Sequence, residues 1–428
     1  MGFSSMGTGR KLVAAALAAG VALSALAAPA TAADKKKDAA AAGAPKITIS
    51  KGFQPAAVAA QNAVAAVKTD PAQAPAAKAA VDAAFAAATT PDDKFVAGQL
   101  AVALGSALKD PALQRRGLVS MVASNKTPAD NPKYNSFIAS LAYDAKDYAA
   151  ARAAAQAAVQ GGYAGEDTAI VMAESYVNEN QPALGLAEFK KAAAAKRAAG
   201  QPVPEQWIRR AIAVAYKAKL PNEAAEWAQM QVDLYPTAFN WLGSAQLVRL
   251  VGNYTPNETI DLFRLMWRSG AFDNEPKLVA SEYKEYVEAA DPRRLPGEVV
   301  QVIDKGKAAG ALSGQYITDA RALAAGRIAT DKASLPAAPS AASTGATLLS
   351  NGDAWLNYSD PAKAEAFFKA ALAKGGVDKD RVLTRIGIAQ YDQGKYADAK
   401  ASFSQVGGNR TAMARLWLSL IKTKAPNA

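Results

Sequence analysis

Neither histidine nor cysteine occurs in the 428 residues. Their absence removes the usual general base near neutral pH, thiol nucleophiles, disulfides and Cys/His zinc sites. Ser-His-Asp hydrolases and H-E-x-x-H metalloproteases are excluded on the same ground. Chemistry built on carboxylates or on a Ser-Lys pair survives. Ser106-x-x-Lys109 has the spacing of a lysine-activated serine nucleophile. No S-D-N or K-T-G companion follows, and the motif falls at a predicted helix end before Asp110-Pro111. Glu174-Ser175 sets a carboxylate beside a hydroxyl, as in some glycan-cleaving enzymes, without the Gly-Leu-Met-Gln stretch that should follow. Gly306, Gly310 and Gly314 form a G-x-x-x-G series, but around a predicted helix end rather than in a membrane span. Phosphate-binding and EF-hand loops are missing. We therefore expect no catalytic residue, no cofactor and no metal.

Two clusters could instead bind. Basic doublets gather at Lys190-Lys191, Lys196-Arg197 and Arg209-Arg210, which could dock an acidic partner. For Lys196 and Arg197, a helix C-terminus favoured by the dipole serves equally well. Four of the six tryptophans, Trp207, Trp227, Trp241 and Trp267, lie in one central stretch. They suit either an aromatic groove or a core, and an alanine-rich chain needs large residues for its core.

The elements that would hold these residues are helices. Half the residues are hydrophobic but only 7% are aromatic. Alanine, the best helix former, dominates the apolar set. From Phe53 onward, Pro55, Pro71, Pro75, Pro91 and Pro111 each stand near a helix start, where the missing N–H costs nothing. Asp70, Thr90 and Asp110 precede prolines as N-caps. Later breaks at Gly161-Gly162, Gln181-Pro182, Gln201-Pro202, Leu220-Pro221 and Thr255-Pro256 continue the rhythm of helical hairpins. Hairpins cannot bury their apolar faces alone, so they must stack. The expectation is an all-α solenoid of stacked hairpins. Residues 331–343, rich in Ala, Ser and Pro, read as a linker between an array at 53–330 and a C-terminal pair at 344–424. Ile47-Thr48-Ile49-Ser50 reads as an extended segment within a flexible leader, 33–52.

The N-terminus has the form of a secretory signal. Arg10 and Lys11 precede an uncharged apolar stretch from Leu12 to Leu26, and Ala30-Thr31-Ala32 is a small-x-small cleavage site. We expect a signal peptide at 1–32 and a mature chain in the periplasm or outside the cell, with no stable membrane span. The net charge is +11, from 49 basic and 38 acidic residues. Loss of Arg10 and Lys11 lowers it to +9. Export argues against nucleic acid as the partner of that charge. Acidic proteins, anionic lipids or cell-wall polymers are the natural counterparts, unless the charge serves only solubility.

One internal repeat is sharp. Gly352 and Gly387, Ala364 and Ala399, and Phe368 and Phe403 are each separated by 35 residues. The small residues suit a close approach of two antiparallel helices, and the phenylalanine then fills the gap towards the next hairpin. Ile386-Gly387 followed by Gly394-x-Tyr396-x-x-Ala399-x-x-x-Phe403 resembles the tetratricopeptide repeat family. Gln390 stands where that family usually has tyrosine. Weaker copies run over 132–236, around Tyr148, Tyr176, Phe189, Trp207 and Ala224, and residues 275–329 carry no clear signature.

The resemblance implies a right-handed superhelix whose inner face binds peptides or proteins. Extending the repeat phase would turn Tyr143, Glu174, Arg209 and Tyr216 towards that face. The reading is a non-enzymatic, protein-binding scaffold. A cell-wall or polysaccharide-binding protein, or a carboxylate-dependent glycan-active enzyme, stands as the alternative. N-terminal sequencing of protein recovered from the expressing bacterium should give Ala33 as the first residue. A retained Met1 would refute the signal assignment.

Overall fold

The computed structural model describes residues 47–163 and 165–426. The expected signal peptide and most of the leader lie outside them. The chain divides into two bodies, Met1–Gln201 and Pro202–Ala428.

The first body contains α1 (Gln54–Thr69), α2 (Ala74–Ala87), α3 (Pro91–Leu108), α4 (Pro111–Ser124), α5 (Asn131–Asp144), α6 (Tyr148–Gln160), α7 (Glu166–Asn178) and α8 (Pro182–Ala198). The caps expected at Asp70, Thr90 and Asp110 all form, accepting from the backbone N–H of Ala72, Asp93 and Leu113. Helices α3 and α4 meet through glycines. A Cβ on Gly98 would lie 2.6 Å from the Gly117 carbonyl oxygen, and one on Gly105 would lie 2.8 Å from the Gln114 nitrogen.

Residues 47–50 belong to no helix, and two carboxylates hold them to the start of α3. Asp92 accepts the Thr48 N–H at 2.7 Å and pairs with Lys126. Asp93 is fully buried. It accepts from Ser50 N at 2.8 Å, Ser50 Oγ at 2.9 Å and Thr90 N at 3.0 Å. Its capping-box contact with Thr90 also closes the helix N-terminus. Ile47 packs against both apolar clusters of this body, and Ile49 against one.

The second body contains α9 (Glu205–Lys217), α10 (Pro221–Leu234), α11 (Ala238–Gly252), α12 (Pro256–Ser269), α13 (Pro276–Ala290), α14 (Pro296–Ala308) and α15 (Gln315–Ser334). It continues with α16 (Gly345–Asn357), α17 (Pro361–Lys374), α18 (Lys379–Asp392), α19 (Tyr396–Phe403) and α20 (Thr411–Lys424). The 35-residue repeat has a steric cause, although the phenylalanine expected to face the next hairpin lies first against the glycine of its own. A Cβ on Gly352 would lie 2.5 Å from the Phe368 ring, and one on Gly387 would lie 2.7 Å from the Phe403 ring. Each phenylalanine of a second helix occupies the space that a side chain on the first would need.

Equivalent positions in successive hairpins also touch directly. In the first body the pairs are Arg115–Asp147 and Ser136–Thr168, both 32 residues apart, and Tyr143–Asn178, 35 apart. In the second they are Glu205–Asn240 at 35, Gln246–Glu282 at 36 and Arg264–Glu298 at 34. The hairpin spacing thus persists through 237–298, where the sequence signature fades.

Two features differ from the sequence reading. Residues 331–343 do not separate two bodies. Asp331–Ser334 is the last turn of α15, which ends before Pro336 because the residue ahead of a proline is driven out of the helical region. The loop beyond is tied to the C-terminal pair by Trp355 Nε1 to Pro336 O at 3.0 Å and Lys374 Nζ to Ala341 O at 3.0 Å. One apolar core then runs from Ala225 to Ile421. The last helix is also more than a cap. Helix α20 packs against α10, α11 and α12, with Trp417 fully buried, so the end of this body returns to its beginning.

Asp93 makes the first body acid-sensitive. Burial pushes its pKa up, but the hydrogen bonds from Ser50 and Thr90 prevail and hold it at about 2, against an ordinary 3.8. The folded state therefore binds this proton less readily than the unfolded one. The stabilisation, roughly 2 kcal/mol, is present above about pH 4 and lost as pH falls through 2. Asp93→Asn should lower stability at pH 7 and flatten its pH dependence between pH 4 and 2, measured by urea denaturation followed by circular dichroism. An unchanged slope would show that Asp93 does not anchor the segment.

Candidate functional site

Helix α12 organises the second body. All seven residues from Ile260 to Met266 are buried, including Asp261 and Arg264. Burying such charges is unfavourable unless they are paired and hydrogen-bonded. Arg264 Nη1 donates to Asp261 Oδ1 at 3.1 Å, and its Nε donates to Glu298 Oε1 at 3.1 Å. Arg385 Nε reaches Asp261 Oδ1 at 3.4 Å, and Arg410 Nη1 reaches Asp261 Oδ2 at 2.9 Å. Arg385 also pairs with Asp353 of α16. Burial pushes the Asp261 carboxyl up, but Arg385, Arg410 and Arg264 outweigh it and hold it far below the usual range. Burial lowers the Arg264 pKa, yet Glu298 and Asp261 carry it well above its ordinary value. One network thus joins α12, α14, α16, α18 and the turn Gly408–Arg410.

Beside it lies a cleft of about 310 Å³ between α12, α13, α14, the α16–α17 turn and the end of α18. Trp267 forms one wall, with Lys305 Nζ 4.8 Å from its ring centroid. Arg268 pairs with Asp392 and also donates to Arg264 O at 3.1 Å. Tyr286 donates to Glu298 Oε2 at 3.1 Å. Burial and then the Glu298 charge push its phenol well above its ordinary pKa, so it stays a donor. Asn357 accepts the Glu298 N–H at 2.8 Å, and Gln301 donates to Ser359 at 3.2 Å. Both carboxylates of the cleft are engaged by guanidinium groups, which suits positioning and binding better than proton transfer.

The four residues expected on a binding face do not share one environment. Glu174 is buried in α7 and does not face an open surface. Tyr143 is half-buried, its ring 5.7 Å from that of Tyr148 and its hydroxyl accepting from Asn178 at 2.9 Å. Arg209 and Tyr216 are exposed, two turns apart on one face of α9. Arg209 is paired with Glu205 at 2.8 Å. Phe239 and Leu250 of α11, 55% and 63% exposed, were not singled out by the sequence. Their signal is apolar residues at the positions 34 after Glu205 and Tyr216.

The remaining candidates resolve into structure. Trp207, Trp227 and Trp241 are core residues, and only Trp267 reaches the cleft. Lys196 and Arg197 occupy the last turn of α8. Ser106 Oγ donates to Val102 O at 2.8 Å and Ser175 Oγ to Val171 O at 2.6 Å, so both hydroxyl protons are spent within their own helices. Among the described residues, no group of acidic side chains is placed to hold a metal, and no helix is long and apolar enough to cross a membrane.

No protein-family profile matches the chain, and no curated protein matches it. Among solved structures it is similar to a tetratricopeptide repeat protein from Parabacteroides merdae ATCC 43184. The two are 11% identical, and the match covers 69% of this chain and 99% of that one with a TM-score of 0.31. The hairpins of this chain are tetratricopeptide-like. Their character rests on their own geometry, above all on the Gly352–Phe368 and Gly387–Phe403 contacts.

All six tryptophans lie at 207 or beyond, so tryptophan fluorescence reports the second body alone. Asp261→Ala leaves three buried guanidinium groups without their shared counter-ion. It should cost about 3–5 kcal/mol in a urea titration followed by fluorescence. Lys78→Ala, which breaks a surface pair with Asp110, should cost under about 1 kcal/mol by circular dichroism. A comparably small loss for Asp261→Ala would mean that the network does not hold the body together.

Proposed function

We propose that the chain is a non-enzymatic scaffold of the bacterial periplasm that binds another protein through α9 and α11. The observation that carries this is the row of large exposed side chains on these two helices. Tyr216 is 50% exposed, Phe239 55% and Leu250 63%. The helices are neighbours, since Asn240 of α11 donates to Glu205 of α9 at 2.9 Å. Large apolar residues exposed on adjacent helices are characteristic of an interaction surface. Arg209, Lys217 and Lys219 border the row and are exposed. The fitting partner therefore presents apolar anchors with an acidic rim. Periplasmic location is our reading of Arg10, Lys11, the Leu12–Leu26 stretch and Ala30-Thr31-Ala32.

A photo-crosslinking residue at 216 or 250 in living cells should capture discrete protein species, and one at 326 on α15 should not. The Arg209→Ala, Tyr216→Ala double variant should weaken binding of the captured partner roughly tenfold or more. Equal labelling from all three positions, or none above background, would sink the proposal.

A further inference from the structure

Most glycines within the helices of this chain have a reason inside the fold. A Cβ on Gly98, Gly105, Gly117, Gly185, Gly352 or Gly387 would strike the neighbouring helix. Gly243, in the middle of α11, differs. It is exposed, and a Cβ there would meet nothing within 4 Å. Glycine weakens a helix interior relative to alanine, and no packing contact of the chain calls for it at this position. Phe239 and Leu250, both exposed, stand before and after it on the same face of α11. A rise of about 1.5 Å per residue sets them about 16 Å apart along the helix, with the glycine between. Lys217, at the end of α9, and Lys219, just past it, are exposed, and neither pairs with a carboxylate among the described residues.

We propose that the partner lays an acidic amphipathic α-helix across α11 at Gly243, between Phe239 and Leu250. This rests on α9 and α11 being an interaction surface, and it names what occupies that surface. A helix with its side chains is about 10–12 Å across, which fits the space between the two large residues. An extended peptide, with strands spaced about 4.8 Å apart in a sheet, would leave most of that space unfilled. The missing side chain lets the incoming helix approach to the lower end of helix packing distances, about 8 Å between axes. Phe239 and Leu250 then flank its apolar face, and acidic residues beside that face meet Lys217 and Lys219. A basic helix would meet like charge there.

The test titrates the full chain with synthetic peptides of about twenty residues, followed by fluorescence anisotropy. One is an amphipathic helix of Glu, Ala and Leu, with leucine at every third or fourth position. The second carries a central proline, and the third has lysine in place of glutamate. The first should bind saturably, and the other two roughly tenfold more weakly or worse. Gly243→Leu should weaken binding of the first peptide about tenfold, with a thermal midpoint unchanged or raised, since leucine favours helix. Gly326→Leu on α15, where a Cβ also meets open space, should leave binding unchanged. Equal binding of the proline peptide, tight binding by Gly243→Leu, or no saturable binding of the acidic helix at about 1 mM overturns the proposal. Capture of a partner from 216 and 250 that persists undiminished in Gly243→Leu refutes this crossing and leaves the surface standing. Absence of capture from those positions refutes both.

Discussion

Asp261 is charged and has no solvent around it, and three guanidinium groups converge on its two oxygens. The rest of the second body is arranged to make that possible. One of the three arginines is a turn away on the same helix, while the others come from positions 124 and 149 residues further on. Buried ion pairs contribute little net stability compared with apolar packing, but they are costly to break. Such a network favours the arrangement in which every charge is met and penalises near alternatives. Hairpins that are interchangeable in their small-residue packing are thereby held in one order.

The hairpins themselves were legible because their signal is local. Gly387 and Phe403 belong to one hairpin, and steric exclusion between them depends on residue size alone. The proline and cap signals at Asp70, Thr90 and Asp110 are local too. The fate of α12 was not legible. Glu258, Asp261, Arg264 and Arg268 recur every three or four residues, the pattern of a helix with one face in water. Only the approach of α18 and the turn at Arg410 turns that polar face inward. No periodicity within fourteen residues carries that information. The supposed linker was misjudged for a related reason, since Trp355 and Lys374, which fix its path, lie outside it.

Of the candidate binding residues, Arg209 and Tyr216 are exposed on α9 while Glu174 is enclosed by its neighbours, a difference that no pattern within one helix carries. The cleft was invisible at the level of motif. Its walls come from α12, α13, α14, the α16–α17 turn and α18, and each contributes an ordinary residue whose meaning lies in its neighbours. Trp267 alone hinted at it, within a cluster whose other members are core.

The return of α20 onto α10, α11 and α12 has an evolutionary consequence. Open helical arrays gain and lose hairpins at their ends with little penalty, because each contacts only its neighbours. Here helix α20 is enclosed by helices from the start of the body. Duplicating or deleting the final hairpin would displace Arg410 and Trp417 from the partners that enclose them. Inserting a hairpin between α12 and α20 would thus have to preserve both ends of the ion network at once, whereas the loop beyond Pro336 can change length without touching it.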